Sequence, residues 1–378
     1  MEVNIKRYVI SYDNFMKKYH GEDEIKKIGA GGAGIVYKVT PTYRFFKYPS
    51  IKHIEVPIVI KVLSIPNELY SDAELPKILR REYYINKLLE IHEQRYTSKH
   101  GSVNGTSYFG KIYDVIKLHD AYIVYMEFIE GYTLMKLTQN IKKIRKDNTD
   151  VFKTMDYSFY IPLFIRMIEG ISIIHDAGIV HLDIAHRNIM FYKGDIKYID
   201  FGESCFVDSD KDNFLNVESF KKFECHNIKK PTPYSDVYNT HDSQSLKDED
   251  LNSIGMIMFN FLFYAREYHS DEIPIEKLDN NMGKWYMQFK YTDKFKPLSP
   301  KSYDIIVNAQ KTHYNELEDK DKVDVMYEEF SYRNKGLFDL IKDEELRSIV
   351  REVSTGRDLK PSIIVKRLRD VYDKLVDK

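Results

Sequence analysis

The stretch His181–Gly202, HLDIAHRNIMFYKGDIKYIDFG, decides how the rest of the chain is read. It places an aspartate at 183, an asparagine five positions later at 188, and a second aspartate at 200. Two short apolar runs, around Ile189–Phe191 and Ile196–Ile199, lie between Asn188 and Asp200. An aspartate can take or orient the proton of a substrate hydroxyl. An asparagine offers a neutral oxygen and a second aspartate a charged one, both of the hard kind that Mg2+ accepts. Each residue alone is more often a turn or capping residue. Their joint spacing points to a site that holds a hydroxyl and a metal ion together.

Upstream, YSFYIPLFIRMIEGISIIHDAG (residues 157–178) reads as a long helix closed by Gly178. The first third of the chain reads as short strands with one helix. Gly29, Gly31 and Gly34 form G-x-G-x-x-G, followed by the strand-like IVYKV. A dinucleotide turn would lead into a helix instead. The pattern therefore favours a strand–glycine–strand flap over a nucleotide, with a plain glycine-rich hairpin as the bland alternative. Lys61 sits inside the apolar strand IVIKV, on the same face as Val59. Burying it requires an anion; otherwise it is an edge lysine that snorkels to water. Its candidate counter-ions are Glu82 and Glu74, on or beside the helix AELPKILRREYYINKLLEIHE. Glu82 is preferred, because Glu74 precedes Pro76 near the helix start. Ile78, Ile85, Leu88 and Leu89 mark that helix's apolar side. KIYDVIKL and AYIVYMEFI read as a hairpin around His119-Asp120.

The chain's 378 residues, 43% apolar and 30% charged, give a globular composition with a net charge of −1. That balance gives no global sign of nucleic acid or an anionic membrane as partner. The two cysteines, Cys205 and Cys225, form no disulfide framework and no zinc spacing, which suggests a reducing compartment. No signal peptide is read, and IGMIMFNFLFYA (254–265) is too short to span a membrane, so a buried helix is expected there. The expected location is the cytoplasm. The Ile, Lys, Tyr and Asn bias is that of AT-rich genomes such as those of some large DNA viruses, in which case it is the host's cytoplasm.

Together these elements resemble the eukaryotic protein-kinase family over residues 22–265, and more weakly to the C-terminus. Gly29-x-Gly31-x-x-Gly34-x-Val36 is similar to that family's glycine-rich loop, and IVIK to the strand carrying its phosphate-contacting lysine. The resemblance implies an α+β, bilobal fold. Residues 1–129 would form a small β-rich N-lobe with the glycine-rich loop, the lysine strand and the glutamate helix. Residues 130–378 would form a larger helical C-lobe with the catalytic loop and Asp200-Phe201-Gly202. By the same resemblance Lys61 contacts phosphate, Glu82 is its helix partner, and Asp183 is the base. Asn188 and Asp200 hold the metal. IVYMEFIEGYTL looks like the hinge, with Met126 as gatekeeper and the backbone of Glu127–Ile129 against adenine. Val36, Val59 and Met190 would sandwich that ring. DEDLNSIGMIMFNF resembles the buried helix whose aspartate, here Asp250, braces the catalytic loop. The implied cofactors are ATP with Mg2+ or Mn2+. The implied partners are protein substrates, with no nucleic acid and no membrane span; oligomeric state is left open.

The departures also carry information. Leu182 stands where the family has an arginine that meets an activation-loop phosphate, which argues against that switch. The A-P-E motif is not recognisable, KKPTPYSDVY being a faint candidate, and Lys360 stands where its arginine partner is expected. The lengths imply inserts near 40–55 and 266–345, the latter with the acidic run NELEDKDKVD. Ser/Thr members carry a lysine two residues after the catalytic aspartate; here it is Ala185. DIAHRN is closer to the tyrosine-kinase loop, with Arg187 four residues on. The rest of that subfamily's activation segment is missing, so a Ser/Thr kinase is the preferred expectation. The alternatives are a tyrosine or dual-specificity kinase, a pseudokinase acting as a binding module, and a small-molecule kinase. Cys205 is expected to pack, and His186 to contact substrate or cap the loop.

Overall fold

The computed structural model describes residues 25–31, 34–39, 57–64, 73–100, 107–118, 121–138, 157–207, 243–265, 341–356 and 358–377. Residues 40–55 and 266–340 of the proposed inserts, the acidic run, KKPTPYSDVY and Cys225 lie outside them. The chain forms two compact units. One comprises Met1–Gly131 with Lys197–Ser204, the other Tyr132–Ile196 with Cys205–Lys378. A single cut at 129/130 places Asp200 with the second part of the chain, whereas its segment groups with the first unit.

In the first unit, β1 (Ile25–Gly31), β2 (Gly34–Val39), β3 (Ile58–Ser64), β4 (Ile112–Leu118) and β5 (Ala121–Glu127) form an antiparallel sheet. Its order is β1-β2-β3-β5-β4. Val and Ile dominate β3 and alternate between faces, as a pleated strand requires. Ile58, Ile60 and Val62 join Tyr37, Val39, Ile123 and Tyr125 in a buried cluster on one face. Leu63, Ile112 and Val124 pack on Leu75 and Leu79 of α1 (Leu75–His100) on the other. Leu79 rather than Ile78 fills that position in the helix's buried stripe. Gly34 pairs with Gly31 at the top of the β1–β2 hairpin, and its φ is +149°. A Cβ there would lie 2.3 Å from the Val62 carbonyl oxygen, so only glycine lets β2 start so close to β3.

The second unit is built on helices. α2 (Tyr157–Asp176), α3 (Ser243–Ala265), α4 (Glu344–Thr355) and α5 (Pro361–Val376) accompany short strands. Those strands are β6 (Tyr132–Thr133), β7 (Ile179–Val180), β8 (Ile189–Tyr192), β9 (Asp195–Tyr198) and β10 (Cys205–Phe206). β6, β8 and β9 form one ribbon, and β7 pairs with β10. Helix α2 is long and apolar enough to cross a membrane, but 72% of that window is buried in the protein. Its buried Arg166 pairs with Asp195 at 2.6 Å, and its buried Glu169 pairs with Arg369 of α5 at 2.6 Å. It is therefore read as a core helix of this unit. Gly178, at φ 70°, ends it in the left-handed turn that favours glycine.

Helix α3 crosses α4 with backbones nearly touching. A Cβ on Gly255 would lie 2.4 Å from the Ser354 nitrogen. Gly255→Ala must push the two helices apart, and it is expected to destabilise the protein by about 1–3 kcal/mol. The midpoint of chemical denaturation measures this, and an unchanged midpoint would contradict the packing.

Candidate active site

Two sets of functional side chains can be built from these elements, one in each unit. In the first unit, strand pairing sets Lys61 opposite Val36 on β2 and Val124 on β5, while Val59 lies opposite Met126. Alternation therefore places Val36, Val59, Lys61 and Met126 on the α1 side of the sheet. Gly29 lies opposite Val36 and leaves a flat patch beside it, since a Cβ there would meet Val36 at 3.7 Å. Burial opposes the Lys61 charge, yet the carboxylates of Glu82 and Asp200 outweigh it and hold the ammonium above its usual pKa of 10.5. Glu82, buried on α1, also accepts the backbone N–H of Phe201. Glu74 is exposed ahead of α1, where its carbonyl accepts the Lys77 and Ile78 amides. Lys61, Glu82 and Asp200 thus form one electrostatic cluster.

The chain around Asp200 is stitched to this unit. The Tyr198 N–H donates to the Tyr108 carbonyl at 2.8 Å, and its carbonyl accepts from Gly110 at 2.9 Å. Phe201 meets Phe109 edge to face, with ring centroids 6.0 Å apart. Arg81, the neighbour of Glu82, donates to the Gly202 carbonyl. Asp200 itself has φ 65°, a conformation that a non-glycine residue holds only when its surroundings impose it. Two of these fastenings, Arg81–Gly202 and Glu82–Phe201, join residues far apart in the sequence and were not foreseen. At the end of β5, the Glu127 N–H donates to the Lys111 carbonyl at 2.9 Å. Ile129 is buried, and its carbonyl accepts the Gly131 N–H at 2.8 Å.

In the second unit the loop 181–188 is held from below. Asp250 on α3 accepts the His181 N–H at 2.7 Å and the Leu182 N–H at 2.9 Å, and His175 Nε2 lies 3.1 Å away. Leu182 has φ 61°, so this carboxylate secures a backbone that would otherwise relax. His181 is fully buried, and its Nδ1 accepts the Asp183 N–H at 3.3 Å, a bracing position rather than a reactive one. The Asp183 carboxylate is gripped at both oxygens. Arg187 donates to Oδ1 at 2.5 Å and Asn188 Nδ2 to Oδ2 at 2.7 Å, while Asn188 also reaches the Asp183 carbonyl at 2.9 Å. His186 stacks on Phe261 of α3, and its carbonyl accepts the Met135 N–H, so it supports the loop. Met190 lies on β8 opposite Thr133. Cys205 is buried in β10 and packs with Val180 and Leu246, as expected, and it is also disulfide-bonded.

Asp248 was missed by the sequence reading. It accepts the Asp358 and Leu359 amides at 2.8 and 3.1 Å, fixing the turn before α5. Lys360, at the position of the family's arginine, is exposed and precedes α5 without a side-chain cap. Backbone donors thus satisfy a buried carboxylate in this part of the chain.

Asp200 and Asn188 are oxygen donors of the kind Mg2+ takes. Among the described residues no group of three or more His, Cys, Asp or Glu side chains could enclose a metal.

Comparison with known proteins identifies the family. The chain is 24% identical to serine/threonine-protein kinase MPS1 of Encephalitozoon cuniculi, over 72% of this chain and 38% of that protein. It is 23% identical to the mitosis inhibitor protein kinase SWE1 of Candida albicans, over 62% of this chain and 18% of that one. A probable serine/threonine-protein kinase mps1 of Dictyostelium discoideum is 24% identical, over 63% of this chain and 21% of its own length. The chain thus spans well under half the length of each of these relatives. A family model described as the protein kinase domain matches residues 23–311, most of the chain, and the protein belongs to that family.

Proposed function

We propose that the protein is an ATP-dependent protein kinase, transferring the γ-phosphoryl group to protein hydroxyls, with serine and threonine as the preferred acceptors. The family uses ATP and a divalent metal; Mg2+ is the metal preferred here. The observation that carries the reading is the Asp183 carboxylate, fixed at both oxygens in a loop that α3 pins in place. A carboxylate so fixed can orient an acceptor hydroxyl and take its proton. Lys61 holds a positive charge toward phosphate oxygens, and Glu82 keeps that charge in place. Asp200 and Asn188 Oδ1 are the proposed metal-binding oxygens. The metal, when bound, supplies charge neutralisation for the phosphates. Glycines 29, 31 and 34 let the backbone approach those phosphates. Val36, Val59, Met190 and the backbone of Glu127 and Ile129 are proposed to receive the base. The Ser/Thr preference is supported by the names of two of the relatives.

A dual-specificity reading has an observation of its own. Ala185 leaves no lysine beside Asp183, and Arg187 is the cation that holds this carboxylate, at 2.5 Å and more than half exposed. An arginine placed there can serve a phosphate approaching either kind of hydroxyl.

Incubation with labelled ATP and Mg2+ should phosphorylate protein acceptors. Asp183→Asn should lower the rate by roughly 100-fold or more, the scale of a lost general base. Mass mapping that finds phosphotyrosine alone would overturn the Ser/Thr preference, and no transfer to any protein would overturn the reading. Lys61 supplies a second test. Its folded pKa lies above the ordinary 10.5, so its pairing stabilises the protein fully below that pH and is lost as pH rises through the folded value. Lys61→Met should therefore lose less stability than wild type on going above pH 10.5, read as the difference between their melting temperatures. An identical alkaline decline in both proteins would contradict the charge cluster.

A further inference from the structure

Lys197 Nζ and Glu127 Oε1 lie 2.5 Å apart, with side chains only 7% and 22% exposed. Neither side chain takes part in the phosphoryl-transfer set. An apolar pair of similar size would hold the fold at least as well, because burying two charges consumes most of what their attraction returns. The location gives the pair another use. Glu127 ends β5, and its Oε2 also accepts the Lys111 N–H at 3.2 Å. Lys197 further feels the buried carboxylate of Glu93 on α1, which accepts from Ser107 at 2.7 Å and from the Tyr108 N–H. Directly after Lys197 comes Tyr198, bonded to Tyr108 and Gly110. Two residues beyond that is Asp200, in its left-handed conformation. Lys197 is therefore the point at which the strand leading to Asp200 is fastened to the end of the hinge strand.

We propose that Glu127 and Lys197 form a positioning pair. It fixes the strand before Asp200 and so sets the Asp200 carboxylate against Lys61 and Glu82 for the metal-bound form of the nucleotide. This rests on the reading of Lys61 and Asp200 as phosphate- and metal-binding groups. Outer partners of this kind act on a metal ligand's orientation, and their loss weakens metal-dependent binding more than it weakens the fold. Loss of the Lys197 charge is predicted to leave the binding of a bare nucleoside untouched.

The test is calorimetric binding of adenosine, metal-free ADP and Mg·ADP to the full chain. The proteins compared are wild type, Lys197→Met, Lys197→Arg, Lys61→Met and the double variant Glu127→Met/Lys197→Met. The double variant leaves no lone buried charge and keeps the test valid if Lys197→Met folds poorly. The expected result is unchanged adenosine affinity in Lys197→Met and, in both Lys197→Met and the double variant, a loss of about tenfold or more in the affinity that Mg2+ adds to ADP, read as Mg·ADP against metal-free ADP. Lys197→Arg should recover most of it. Equal weakening of adenosine and Mg·ADP in Lys197→Met, or in the double variant an equal weakening of metal-free ADP and Mg·ADP, would show a merely structural pair, and unchanged Mg·ADP affinity would also overturn the proposal. If wild type and Lys61→Met behave as the phosphate reading requires, such a result defeats the pair alone. If wild type does not bind Mg·ADP, or Lys61→Met binds it undiminished, the phosphate reading falls and the pair with it.

Discussion

The Asp250 carboxylate is the constraint on which the second unit's chemistry depends. It is buried on α3, and its two oxygens face the backbone amides of His181 and Leu182 together with the ring of His175. A buried carboxylate needs such donors, and the loop needs the carboxylate. Leu182 sits at φ 61°, a conformation that costs on the order of 1–3 kcal/mol at a non-glycine residue. Once that residue is held, Asp183 points to where Arg187 and Asn188 can grip it. The order of dependence runs from helix to loop to carboxylate.

The first unit solves a different problem, that of keeping a lysine charged on an apolar strand. Burial works against the charge, and two carboxylates from distant parts of the chain answer it. One arrives on α1. The other arrives on the segment Lys197–Ser204, which leaves the second unit's ribbon to group with the first. That segment is fastened by Lys197, Tyr198, Phe201 and Gly202 in turn. Its attachment explains how one strand passage supplies residues to both units.

Much of this was legible in the sequence because it rests on short-range patterns. β3 announced itself through IVIKV, the β4–β5 hairpin through two apolar runs around His119-Asp120, and α2 through its length and its closing Gly178. The clustering of Lys61 with Glu82 was legible because Pro76 places Glu74 at the helix start. What was not legible depends on pairs far apart in the chain. Arg81 with Gly202, Lys197 with Glu127 and Asp248 with the turn at 358–359 leave no periodic trace. Asp248 is instructive, since the missing A-P-E motif and the lysine at 360 read only as a loss. The structure shows the turn before α5 held by a carboxylate through backbone donors.

The most direct measurement is amide hydrogen exchange at His181 and Leu182 in wild type and Asp250→Asn. If Asp250 holds the loop, both amides are protected in wild type, and in the variant exchange about tenfold faster or more, while the α4 amides keep their protection. Unchanged protection at His181 and Leu182 in the variant would contradict the account, because the loop carrying Asp183 would then be held by something other than this carboxylate.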